Sequence, residues 1–202
     1  MNAGHKRVRS TAQPCLMAML AWCVGIGAAV GRDIHRLDDY ELFAKAAGVW
    51  EGVGVSFEIA PNAELKPAIT YRDTWEASLA ESGRLMVMNG VTRSGGRKIE
   101  YVWRFRWHPE VEKVTAEFEN SLGEASTMEV NVVADGKRLE LRTPRSSEEN
   151  DQSAMHLDIY LEDEEDLVIE VSIHGADGEE TYRSAARYQE SEREVTPKSK
   201  SA

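Results

Sequence analysis

Asp73 stands between Tyr71 and Trp75 at strand spacing, so a strand here places a carboxylate on one face with two aromatic rings. A carboxylate on an apolar face can have a raised pKa and do acid–base work, with the nearby tyrosines as phenol partners. The plainer reading is a buried acid with its own hydrogen-bond donors, or a strand whose register differs. Nothing else reads as catalytic machinery. Ser, His and Asp are present, but there is no Gly-x-Ser-x-Gly elbow and no paired-histidine metal motif. Arg104 and Arg106 have the chemistry to clamp a carboxylate. They oppose the stripe Ile99, Tyr101, Trp103, Phe105 and Trp107, however, so they face water if the aromatics face inward. Glu162 to Asp166 is a run of five carboxylates, and Glu148-Glu149-Asn150-Asp151 is a second acidic stretch. Neither has calcium-loop spacing, and both read as solvated turns that keep strand edges from pairing with other chains. No metal and no cofactor is expected.

The elements that position these residues follow from the rest of the chain. It has 202 residues, 42 % of them hydrophobic, which suits a single domain able to bury its own core. The 24 basic and 35 acidic side chains give a net charge of −11. That balance excludes a nucleic-acid footprint and electrostatic attachment to anionic lipid.

The N-terminus reads as an address. His5-Lys6-Arg7-Val8-Arg9 is basic, and Cys15 to Val30 is apolar and uncharged, too short for a membrane span of about 20 residues. Small residues then gather at Gly27, Ala28, Ala29 and Gly31, as signal peptidase requires. Residues 1–29 are therefore expected to be a signal peptide and 30–37 a linker. Cleavage after Ala29 or after Gly31 fits the pattern. An uncleaved anchor is the alternative, and a lipoprotein at Cys23 is disfavoured by Trp22 before it. Cleavage removes both cysteines, Cys15 and Cys23, and makes the exported chain more acidic. The exported domain then has no disulfide, thiolate or cysteine ligand.

From Trp50 onward the period is two. Val53, Val55, Phe57 and Ile59 alternate in a first strand; Ile69, Tyr71, Trp75 and Leu79 share a face of a second, and Leu85, Val87 and Val91 of a third. Ile99 to Trp107 is the clearest strand, and similar alternation continues to Thr181–Tyr188. Gly95-Gly96, Asp135-Gly136 and Asp177-Gly178 are hairpin turns whose residues tolerate positive φ. One helix is expected, Asp38 to Ala47, capped by Asp38 and stopped by Gly48. The prediction is all-β: about ten antiparallel strands in an up-and-down barrel over 38–190, with one short N-terminal helix and a disordered tail over 191–202. A β-sandwich is the alternative.

Gly48-Val49-Trp50, after a short helix and opening the first strand, resembles the Gly-x-Trp signature of lipocalins. Its continuation to Gly54 is similar to the first strand of nitrobindin-like barrels. The resemblance to these calycin-type folds implies that Trp50 closes one end of a barrel and that a last-strand arginine, Arg183 or Arg187, packs across it as a cation over an indole. Nitrobindin-like barrels hold heme through a histidine on a late strand. Thr181–Tyr188 contains none, and His174 and His156 fall on polar faces, so heme is not expected.

The resulting expectation is an exported barrel that binds a small apolar or amphipathic molecule non-covalently, with Trp75, Trp103, Phe105, Trp107, Tyr71 and Asp73 near the cavity. The barrel domain is not expected to be embedded in a membrane. Two rivals are a barrel filled outright by its aromatics, acting as an envelope interaction module, and an enzyme using Asp73.

Overall fold

The computed structural model describes residues 34–59, 68–143, 154–162 and 165–191. The expected signal peptide, 1–29, and the tail beyond Ser191 lie outside them. A 3-10 turn, Leu37–Asp39, and a helix α1, Glu41–Ala46, precede ten strands. These are β1 Gly48–Glu58, β2 Ile69–Ala80, β3 Leu85–Ser94, β4 Arg97–His108, β5 Lys113–Asn120, β6 Ala125–Val133, β7 Arg138–Arg142, β8 Ala154–Glu162, β9 Asp166–His174 and β10 Glu180–Glu190. Each strand pairs antiparallel with the next, and β1 pairs with β10 from Trp50↔Glu190 to Glu58↔Tyr182. The sheet is therefore a closed up-and-down barrel and not a sandwich. Gly95 and Gly96, at φ 55° and 81°, make the left-handed turn between β3 and β4 that the sequence calls for.

The helix is shorter than expected. Asp38 does not cap it; instead Asp39 Oδ2 accepts from the backbone N–H of His35 and Arg36 at 2.8 and 3.0 Å. The chain then extends at Tyr40 (ψ 132°) before α1 begins. That kink sets the Tyr40 ring edge-on against Trp107, with centroids 6.1 Å apart. Leu37, within the expected linker, is fully buried, and Leu42, Phe43 and Ala46 join it in the core. The segment caps one end of the barrel. Two turns hold it there: a Cβ on Gly83 would meet Asp38 Oδ1 at 2.8 Å, and one on Gly136 would meet the Tyr40 and Glu41 backbone at 3.2 Å.

Beneath this cap the interior is solid. Trp50, Trp75, Met86, Met88, Phe105, Trp107, Val114, Ala116, Leu139 and Leu167 are all buried. Trp50 stacks on Trp75 with centroids 5.5 Å apart at 18°, and Phe43 meets Phe105 edge-on at 5.4 Å. Each large ring contributes about 4–6 kcal/mol of burial before ordering costs.

Two strands face opposite to their hydrophobic alternation. On β1 the inward residues are Trp50, Gly52, Gly54 and Ser56, while Val53 is 55 % exposed. On β3 the buried set is Met86, Met88 and Gly90, not Leu85, Val87 and Val91. The small inward residues are required by side chains that cross over them.

Candidate functional site

Three tyrosines cross the barrel wall at glycines. Tyr188 on β10 is paired directly with Gly52 on β1, and Gly52 in turn with Asp73 on β2. The Tyr188 ring lies over Gly52, where a Cβ would come within 2.4 Å of it, and its hydroxyl donates to Asp73 Oδ2 at 2.9 Å. Tyr71 on β2 crosses β1 the other way, lying over Gly54, with its hydroxyl 2.7 Å from Ser184 Oγ on β10. Tyr101 on β4 lies over Gly90 on β3 and donates to Asp73 Oδ2 at 2.6 Å. Thr92 completes the set, donating to Asp73 Oδ1 at 2.8 Å. Glycine permits each crossing because any side chain there would fill the ring's place.

Asp73 is 4 % exposed and thus takes donors from β3, β4 and β10. Three hydroxyl donors offset the cost of burying this carboxylate. The phenols of Tyr101 and Tyr188 are pushed well above the usual tyrosine range, by burial first and then by the Asp73 carboxylate. Tyr71 is raised too, mainly by burial, with the Ser184 bond opposing. Phenols that keep their protons serve here as donors, so the cluster's chemistry is hydrogen bonding and polarity.

This cluster divides the interior. Away from the cap the inward residues Tyr71, Thr92, Tyr101, Trp103, Phe118, Met155, Val171 and Ile173 are only partly buried. This less closely packed half, here called the chamber, has an aromatic side, where Trp103 meets Phe118 at 4.8 Å, and an aliphatic side opposite. Its floor is the Asp73 cluster, and the buried hydroxyls of Ser56 and Ser184 lie further along β1 and β10, away from the cap.

The expected cavity residues separate accordingly. Tyr71 and Trp103 line the chamber, and Asp73 lies at its floor. Trp75, Phe105 and Trp107 are 1–4 % exposed and belong to the solid half under the cap. The expected closure by arginine is corrected. Arg183 points outward to Glu180 at 2.7 Å, and Arg187 pairs with Glu162 and with Asp166 at 3.0 Å. Their positions alternate with inward Ser184, Ala186 and Tyr188, so Trp50 is covered by Trp75. Gly48 opens β1 at φ 131°, a backbone conformation that favours glycine. Arg104 and Arg106 also face outward, to Glu119 and Glu81. Sequence reasoning missed Tyr188, Ser184, Thr92 and the three glycines, because their meeting depends on register across three strands.

His156 and His174 lie together on the outer wall, with ring centroids 5.1 Å apart. Among the described residues no group of three or more His, Cys, Asp or Glu could hold a metal ion, and no helix is long and apolar enough to cross a membrane.

No protein-family model matches the chain, and no curated protein matches it. Solved structures share its fold. CPES, an S-type phycobiliprotein lyase from Guillardia theta, aligns over 76 % of this chain and 93 % of its own, at 15 % identity and a TM-score of 0.54. Rv2717c from M. tuberculosis aligns over 79 % and 99 %, at 14 % identity and a TM-score of 0.52. A Nostoc punctiforme protein of unknown function from the DUF3598 family aligns over 79 % of this chain but 51 % of its own, at 16 % identity and a TM-score of 0.50. At these identities the likeness establishes a calycin-like barrel.

Proposed function

We propose that this calycin-like barrel is an exported carrier that binds a small amphipathic molecule non-covalently in the uncapped half of its interior. The carrying observation is a contrast between the two halves: under the cap the large rings Trp50, Trp75, Phe105 and Trp107 are buried, with only Leu79, Val130, Val132 and Leu161 partly so, while Trp103, Phe118, Met155, Val171 and Ile173 are left partly accessible. Burial of a ligand's apolar body against these side chains supplies affinity, and the hydroxyls on the floor orient its polar end. That a phycobiliprotein lyase shares the fold supports this reading. Export rests on the basic, apolar and small-residue pattern of residues 1–31.

The test is solvent extraction and mass spectrometry of the protein purified from the envelope of its natural source. One enriched molecule at near-stoichiometric yield is expected. The neutral probe N-phenyl-1-naphthylamine then reports the site. Its fluorescence should rise on binding, and Val171→Trp, which fills the chamber, should weaken binding by about tenfold or more. An empty protein that also fails to take up the probe overturns the proposal in favour of a filled interaction module. N-terminal sequencing of the same material tests export, with cleavage after Ala29 or Gly31 expected.

A further inference from the structure

The charge inventory of the barrel interior narrows the ligand class. Among the described residues Asp73 is the only buried acidic or basic side chain. Its carboxylate sits at the floor of the chamber. None of the described arginines and lysines is buried; on the wall Arg104, Arg106, Arg183 and Arg187 all turn outward into ion pairs. The inward-phase cation nearest the mouth, Arg97, is the exposed first residue of β4 beside the Gly95-Gly96 turn. Among the described residues, an anionic head entering this chamber meets a carboxylate and no buried counter-charge, in surroundings that screen less than water.

The walls favour the opposite sign. Tyr71, Tyr101, Trp103 and Phe118 present aromatic rings to the same space, and ring faces attract cations. The phenols at the floor stay protonated, so none adds a second negative charge. Asp73 Oδ1 takes one hydrogen bond, from Thr92, against two at Oδ2, which leaves it acceptor capacity for a further donor.

Building on the carrier reading, we infer that the barrel selects cationic amphiphiles, such as a protonated amine on an apolar body, over anionic ones of the same size. The test uses the full exported chain and three eight-carbon probes at pH 7: octylamine, octanol and octanoate, each displacing N-phenyl-1-naphthylamine. The expected order is amine, then alcohol, then carboxylate, with about tenfold or more between the ends. Repeating the series at about 1 M NaCl, where the Debye length is about 3 Å, removes the contribution of the acidic outer surface. The order should persist there, because Asp73 is buried. Asp73→Asn should bring the amine and carboxylate affinities within about threefold of each other, and the salt series decides the matter if that variant does not fold.

Octanol binding with no charge order, an order that vanishes in salt, or carboxylate bound best would each overturn the inference while leaving the carrier reading intact. Failure of every probe, including the naphthylamine, would overturn both.

Discussion

Gly90 and Tyr101 face each other across the β3–β4 ladder, and a Cβ on Gly90 would lie 2.0 Å from the Tyr101 ring. The ring occupies the space a side chain would need, and its hydroxyl reaches Asp73 two strands away. Gly90→Ala is therefore expected to destabilise the barrel by about 1–3 kcal/mol through overpacking, with displacement of the phenol from the carboxylate. Urea denaturation measures it. A variant as stable as the parent would show that the ring can move aside at no cost.

Stability should fall in alkali for a reason specific to the floor of the chamber. Tyr101 and Tyr188 have folded-state pKa values raised above the ordinary 10.0. Below that value both folded and unfolded chains hold these protons, and this contribution is fully present. Above it the unfolded chain releases them first, so stability declines with rising pH by up to about 1.4 kcal/mol per unit for each phenol. Denaturation midpoints between pH 8 and 11 test this, and Tyr188→Phe should make the alkaline decline shallower. An equal decline in both proteins would remove Tyr188 from the explanation.

On the outer wall Arg72 and Arg93 are directly opposed on β2 and β3, both exposed. Neither has an acidic partner within ion-pair distance among the described residues, although acids outnumber bases in the chain. Like charges directly across a ladder are destabilising, so Arg72→Glu should stabilise the protein by about 0.2–1 kcal/mol at low salt. Thermal melts at low and high salt check the value, and the gain should shrink as salt rises.

Trp75 joins the two halves of the interior, stacked on Trp50 and tilted against Tyr188 at 5.8 Å. Trp75→Ala should cost about 3–5 kcal/mol by leaving a cavity in the solid half. Trp103→Ala, in the accessible half, should cost clearly less and should chiefly weaken probe binding. Equal losses of stability would contradict the division of the interior.

Much of this architecture was legible in the residues. The alternation from Ile99 to Trp107 is β4, its arginines face out as its aromatics face in, and the Gly95-Gly96 turn stands where two glycines follow one another. Gly48-Val49-Trp50 does open the first strand of a closed barrel. The inward faces of β1 and β3 were not legible. There the hydrophobic alternation points one way, and the demand for small residues beneath crossing tyrosines points the other. Val53 lost that contest to Gly52 and Gly54, since only the glycines leave room for rings that arrive from neighbouring strands. Asp73 was recognisable as an acid in apolar company. Its three donors come from residues 19, 28 and 115 positions away, a convergence that periodicity does not encode.

Nine of the ten ladders join strands adjacent in sequence, and the seam between β1 and β10 is the one that joins the two ends of the domain. Closing a loop of about 140 residues, from Trp50 to Glu190, costs about 4 kcal/mol of chain entropy, whereas each hairpin closes over about a dozen residues or fewer. Folding rate is therefore expected to depend on this long-distance meeting more than on any other pairing. Tyr188–Asp73 and Tyr71–Ser184 both straddle that seam, running between β10 and β2 in opposite directions across β1. The polar floor of the chamber is also the lacing that keeps the ends of the domain joined.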